Sequence, residues 1–129
     1  AAGICAGQGL GDNARASLIT RGLAETLRLA SQLGAESHTI SGLAGMGDLV
    51  LSCSGPHSRN MAFGFALGSG KPVPTSLAEG RFSASILKAR SKYESIELPI
   101  CFAVDDIVNG DVDIHTRISA LLSRQPGQE

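Results

Sequence analysis

Residues 13–33, NARASLITRGLAETLRLASQL, repeat their apolar side chains with a period of about 3.6: Leu18, Ile19, Leu23, Leu27, Ala30 and Leu33 share one helical face. Asp12 stands where an N-cap is expected, and Gly34 supplies the left-handed stop at the other end. Arg21 and Glu25 sit one turn apart and read as a solvated pair of small energetic value. Working outward, the same chemistry recurs. Ser37 is placed to cap a short helix that breaks at Gly42, and Asp48 to cap Leu49–Cys53 ahead of Gly55-Pro56. Ser58 is placed to cap a helix reaching Leu67, stopped by Gly68-Ser69-Gly70 before a turn over Lys71–Pro74. The spacing predicts a helix over Phe82–Tyr93 with Ile86 and Leu87 inward and Lys88 and Lys92 outward. Pro99 opens the next, Asn109-Gly110 closes it, and Asp113 caps the last, whose Ile114, Ile118, Leu121 and Leu122 form an apolar face. Aromatic residues are only 4%, and alternating β-branched runs are scarce. The expectation is an all-α domain of about seven helices over residues 1–124, with a frayed tail at 125–129.

At 129 residues, with 43% apolar and 18% charged residues, the chain is long enough and apolar enough to bury a core. Its formal net charge of -1 argues against nucleic acid or an anionic membrane surface as partner. Runs such as Leu49-Val50-Leu51 are far too short to span a bilayer. Cys5, Cys53 and Cys101 form no C-x-x-C pair, and Cys53 with His57 lacks a second ligand pair, so no metal site is expected. The thiols read as those of a reducing compartment, and the expected location is cytoplasmic. His38, His57 and His115 are scattered and read as surface or turn residues. Ala1-Ala2-Gly3-Ile4-Cys5 has no charged n-region and reads as the middle of an apolar element, as in a piece of a longer protein.

Two stretches invite a ligand. Gly7-Gln8-Gly9-Leu10-Gly11 resembles a dinucleotide fingerprint, but no parallel strand pattern follows, so it reads as a close-packed turn entering a helix. The stretch Gly45–Asn60, GMGDLVLSCSGPHSRN, concentrates polar side chains in an otherwise apolar chain. A helix starting at Ser58 points its first N–H groups and the positive end of its dipole outward, beside the forked donor of Arg59 and the amide of Asn60. Asp48 lies eleven residues before Arg59 across a Gly-Pro turn able to fold it back. On spacing, two readings stand: an anion cradle with a carboxylate addressing hydroxyls or a cationic catalyst, or an Arg59–Asp48 pair that merely caps helices.

Gly9–Glu25 (GLGDNARASLITRGLAE), Gly42–Cys53 (GLAGMGDLVLSC) and Ser58-Arg59-Asn60, with Leu98-Pro99-Ile100 and Ala120–Arg124, resemble the C-terminal domain of bacterial NAD(P)-dependent glycerol-3-phosphate dehydrogenases over nearly the whole chain. The resemblance implies an oxidoreductase interconverting dihydroxyacetone phosphate and sn-glycerol 3-phosphate with NAD or NADP, feeding glycerophospholipid synthesis. It also implies an N-terminal Rossmann domain as the cofactor-holding partner and a catalytic lysine, followed by Asn, a few residues before Ala1. Without that lysine the fragment alone is expected to be inactive. Site residues carried over are Asp48, lining the substrate site beside the lysine; Ser52, Ser58, Arg59 and Asn60, also at the substrate; and Arg59 and Glu79 at the cofactor. Leu77–Ser83 (LAEGRFS) departs from the family: several residues are missing before it, Arg81 replaces an apolar residue and Ser83 a Thr, so Glu79 matches only if the deletion precedes it. A homodimer through helices of this domain is expected. The alternatives are a non-catalytic helical binding or dimerisation domain of the same fold, or a related hydroxyacid dehydrogenase.

Overall fold

The computed structural model describes residues 1–55, 57–76 and 78–124. Among these, eight α-helices and one π-helical turn carry the chain, with no strand. They are α1 (Ala2–Gly7), α2 (Gly11–Gln32), α3 (Ser37–Ser41), α4 (Asp48–Ser54), α5 (Arg59–Gly68), α6 (Glu79–Glu94), α7 (Pro99–Val108) and α8 (Ile114–Leu122), with the π turn at Leu43–Gly47. The all-α expectation holds, and the added helix is the opening apolar segment. Pro56, Leu77 and the tail at 125–129 lie outside the described residues.

The core gathers one or two residues from each of four helices: Ile4 and Cys5, Leu18, Ala103 and Ile107, Ile118 and Leu121. Helices α1 and α5 run side by side in the same direction, because glycines let their backbones touch. A methyl on Gly3 would strike Met61 and Phe65, and one on Gly7 would strike Phe65 and Ser69. Gly64 and Gly68 return the fit against Gly3 and Ile4. The glycine turn after α1 therefore follows a helix rather than a strand, which removes the dinucleotide fingerprint on structural grounds.

Helix α2 ends as expected, with Gly34 at φ 76° and the Ala35 N–H on the Ala30 carbonyl at 2.8 Å. Its start differs. The helix begins at Gly11, so Asp12 lies within the first turn and pairs with Arg15 at 2.9 Å rather than capping. The larger correction concerns Arg21 and Glu25, which are buried, at 8% and 5% exposure. The Arg21 guanidinium donates to the Leu121 carbonyl and, at 2.6 Å, to that of Arg124, at the carboxyl end of α8. The Glu25 carboxylate accepts the Ile100 N–H and, at 3.4 Å, the Cys101 N–H in the first turn of α7, whose own N-cap, Leu98, has no capping side chain. Each charge lies at the helix end of opposite dipole sign. Leu18, Arg21 and Glu25 thus form the buried line of α2, while Leu33 is 54% exposed.

Helix α6 starts three residues earlier than expected, and its buried positions are Ala84 and Ser91. Ile86, off that line, is 66% exposed and not inward. Lys88 is not a solvated lysine either. Its ammonium binds Asp105 at 2.8 Å and also Asp106, which Arg117 meets at 2.8 Å, so one ionic cluster ties α6, α7 and α8. Hydrogen bonds to the two aspartates hold the Lys88 ammonium above its usual range.

The three thiols are free. Burial pushes all three above the ordinary thiol value, Cys101 to about 12, where the neighbouring Glu25 carboxylate adds to burial. Iodoacetamide at pH 8 should therefore leave the native chain essentially unmodified, because the thiolate is the attacking form. Mass spectrometry should then find all three alkylated once guanidinium is present. Rapid native labelling of Cys101 would contradict its burial against Glu25.

Candidate anion-binding site

The polar stretch singled out in the sequence builds a recess of about 260 Å³ lined by Ser52, His57, Ser58, Arg59, Asn60 and Glu79. Three elements deliver these groups. Ser58 caps α5 as expected, its Oγ accepting the Met61 N–H at 3.3 Å. The N–H groups of Arg59 and Asn60 lie ahead of the first intrahelical bond, from Ala62 to the Ser58 carbonyl, with the positive end of the dipole behind them. Ser52 comes from the last turn of α4, and Glu79 opens α6.

Two helix amino termini, those of α5 and α6, therefore meet at one recess. The join between them is direct. Asn60 Oδ1 accepts the Gly80 N–H at 2.9 Å, which leaves the Asn60 NH2 as the group able to donate to a ligand. Arg59 is exposed, so its guanidinium is accessible to an incoming anion. Behind the recess, on the far side of Asn60, an apolar cavity of about 180 Å³ is bounded by residues such as Phe63, Leu87 and Val104.

Of the residues picked out in the sequence, Ser52, Ser58, Arg59, Asn60 and Glu79 come together here. Asp48 is not among the lining residues. It stands exposed one turn before Ser52 on α4, outside the lining of the recess. Its capping role also fails. The π turn runs straight into α4, Asp48 already has helical φ -64° and ψ -41°, and no side-chain cap bond forms. Among the described residues no ion pair joins Asp48 to Arg59, which removes the mutual-capping alternative. His57, read as a surface residue, lines the recess; its place immediately before Ser58 was the available signal. No group of His, Cys, Asp and Glu able to hold a metal ion occurs among the described residues.

The arrangement suits a small phosphate ester. Two helix termini and a guanidinium supply positive potential, and Glu79 is an acceptor for hydroxyl or amide donors rather than for the anion itself. Residues 1–119 match the family model for the NAD-dependent glycerol-3-phosphate dehydrogenase C-terminus. The glycerol-3-phosphate dehydrogenase [NAD(P)+] of Rhodospirillum rubrum is 48% identical over 130 residues, covering 96% of this chain and 37% of that protein. Its counterpart from Halorhodospira halophila is 47% identical over 135 residues, covering 100% and 41%. The crystal structure of the Coxiella burnetii glycerol-3-phosphate dehydrogenase superposes with a TM-score of 0.87 at 43% identity, over 95% of this chain and 40% of that one. The chain thus spans about two-fifths of the length of the curated relatives it matches. The helical fold and the family model agree, and the chain belongs to the family of NAD-dependent glycerol-3-phosphate dehydrogenase C-terminal domains.

Proposed function

We propose that this chain is the substrate-binding half of an oxidoreductase interconverting dihydroxyacetone phosphate and sn-glycerol 3-phosphate with NAD(P)H. One observation carries the reading: in a chain of this family, Ser52, Ser58, Arg59, Asn60 and Glu79 converge on one recess at two helix amino termini. The phosphate lies against the first turn of α5, where Arg59 grips two oxygens through its fork. The Asn60 NH2 and the Ser52 hydroxyl orient the triose, and Glu79 faces donors on the substrate or on the cofactor's sugar or amide. A nicotinamide bound by a second, dinucleotide-binding part of the polypeptide supplies the hydride. The protein side of the reaction is positioning, together with one proton given to or taken from the substrate oxygen. That proton belongs to a lysine upstream of Ala1, beside which Asp48 stands as an orienting anion. The phosphate grip sets substrate class, because unphosphorylated triose forgoes the strongest contact. A homodimer, a cytoplasmic location and a role in glycerophospholipid supply belong to the same reading.

The test is Arg59→Lys in the full-length polypeptide. Charge is kept and the fork is lost, so KM for dihydroxyacetone phosphate should rise about tenfold to a hundredfold, roughly 1.4–2.8 kcal/mol. Unphosphorylated dihydroxyacetone should be turned over as before. Equal loss on both substrates would make Arg59 structural and end the assignment.

A further inference from the structure

Helix α6 opens at Glu79 with Ala78 at its N-cap position, a residue with no side chain able to cap. The cap comes from elsewhere: Asn60, at the second position of α5, accepts the Gly80 N–H on its Oδ1 at 2.9 Å. A carboxamide has one acceptor oxygen and one donor nitrogen, so engaging the oxygen also decides where the NH2 points. Asn60 lines the polar recess together with Glu79 and borders the apolar cavity behind it, where Gly80 forms part of the wall. Nothing larger than hydrogen fits Gly80 without cost: a Cβ there would stand 3.0 Å from Asn60 Oδ1 and 3.2 Å from its Cγ. Neither contact is with a distant flexible tip, since the Asn60 amide is short and held at its oxygen.

We propose that Gly80 is a positioning residue of the anion recess: its N–H and its missing side chain set the Asn60 amide so that the NH2 faces the ligand, and hold Glu79 on the same wall. The inference rests on reading the recess as a phosphate site. It makes α6 part of that site although Gly80 lines only the cavity behind it. It also gives Asn60 two simultaneous tasks, one with each end of its amide.

The decisive variant is Gly80→Ala, because structural and positioning roles differ in what happens to ligand binding. Alanine is the better helix former but its Cβ would press on the Asn60 amide, so a purely structural Gly80 predicts a change in thermal stability alone, with ligand binding untouched. A positioning Gly80 predicts about tenfold weaker binding in a chain that stays folded, the scale of a sub-ångström misplacement. Inorganic phosphate and glycerol 3-phosphate are the probes, titrated into the chain while the Ser58–Met61 amide resonances are followed. In an Asn60→Ala background, Gly80→Ala should cost less than about twofold more, since the two residues act through one contact. Asn60→Asp is the second variant: it keeps an acceptor for Gly80 but turns an acceptor toward the ligand, so melting should be retained and binding lost. Gly80→Ala binding like wild type, or losing the same factor without the Asn60 amide, overturns the proposal, as does Asn60→Asp binding normally. A wild-type chain that binds neither probe overturns it together with the phosphate reading. Gly80-dependent phosphate binding in a full-length polypeptide that fails to reduce dihydroxyacetone phosphate sinks the proposed reaction and leaves the positioning role standing.

Discussion

Glu25→Ala is expected to lower the unfolding free energy of the chain by about 3 kcal/mol, the upper part of the range for a buried polar network. The loss has two parts. The Ile100 and Cys101 N–H groups at the start of α7 lose their acceptor, and α7 has no local cap to replace it. A cavity also opens where the acyl stem packed, against a helix that supplies Ala103 and Ile107 to the core. Glu25→Gln should cost only about 1 kcal/mol at neutral pH, because its single carbonyl keeps the shorter of the two bonds and no charge is buried.

The pH dependence separates these variants further. Burial raises the Glu25 carboxyl above its ordinary value of 4.5 more than the backbone donors lower it. The native state thus holds this proton more tightly than the unfolded chain. The stability linked to it is fully present below the ordinary carboxyl value and is lost as pH rises through the raised native value. The advantage of wild type over Glu25→Gln should accordingly be largest in mild acid and shrink toward neutrality. Thermal unfolding of wild type, Gln and Ala variants from pH 4 to pH 8 checks both statements. An Ala variant within 0.5 kcal/mol of wild type, the margin of a typical surface substitution, would return Glu25 to the solvated role its spacing suggested.

That correction illustrates what the sequence could and could not reveal. Helix ends fixed by neighbouring residues were legible: Gly34 after α2, Ser58 before α5, Pro99 and Asn109-Gly110 around α7, and Asp113, whose carboxylate takes the Thr116 N–H at 2.9 Å. Ends fixed by remote residues were not. Glu25 caps α7 from 75 positions away, and Asn60 caps α6 from 20 away, so the start of α6 was misjudged by three residues. Charge at helical spacing on an amphipathic segment ordinarily marks the wet face, and here it marks the buried one. The π turn hides for the same reason. Gly45 lies against the Ile40 backbone, where a Cβ would strike the carbonyl, and the wider turn feeds α4 without the break that Asp48 seemed to signal. The recess residues were legible as types because Ser-Arg-Asn at a helix start has a local meaning. Their convergence with Ser52 and Glu79 depends on how α4, α5 and α6 pack, which periodicity does not encode.

Asp48→Asn in the full-length polypeptide should leave stability within about 1 kcal/mol of wild type and still reduce turnover on the order of a hundredfold or more. The first half follows from the structure. Asp48 is exposed, makes no cap bond and sits in ordinary helical backbone, so an isosteric amide removes nothing that holds the fold. The second half follows from the proposed chemistry. A carboxylate outside the anion recess does not repel the bound phosphate, yet on α4 it is one turn from Ser52, which lines that recess. A lysine entering from upstream of Ala1 would meet it there, and a negative charge would both orient the ammonium and keep its proton affinity high. Asparagine supplies the shape without the charge. The lysine should then titrate lower, moving the corresponding limb of the pH–rate profile toward acid, while KM for the phosphorylated substrate stays near wild type because Arg59 and Asn60 are untouched. Melting temperature and the full pH–rate profile, measured on one preparation, test this directly. Undiminished turnover would leave Asp48 a bystander on the α4 surface, and a rise in KM alone would make it a substrate contact rather than a partner of the proton-transferring lysine.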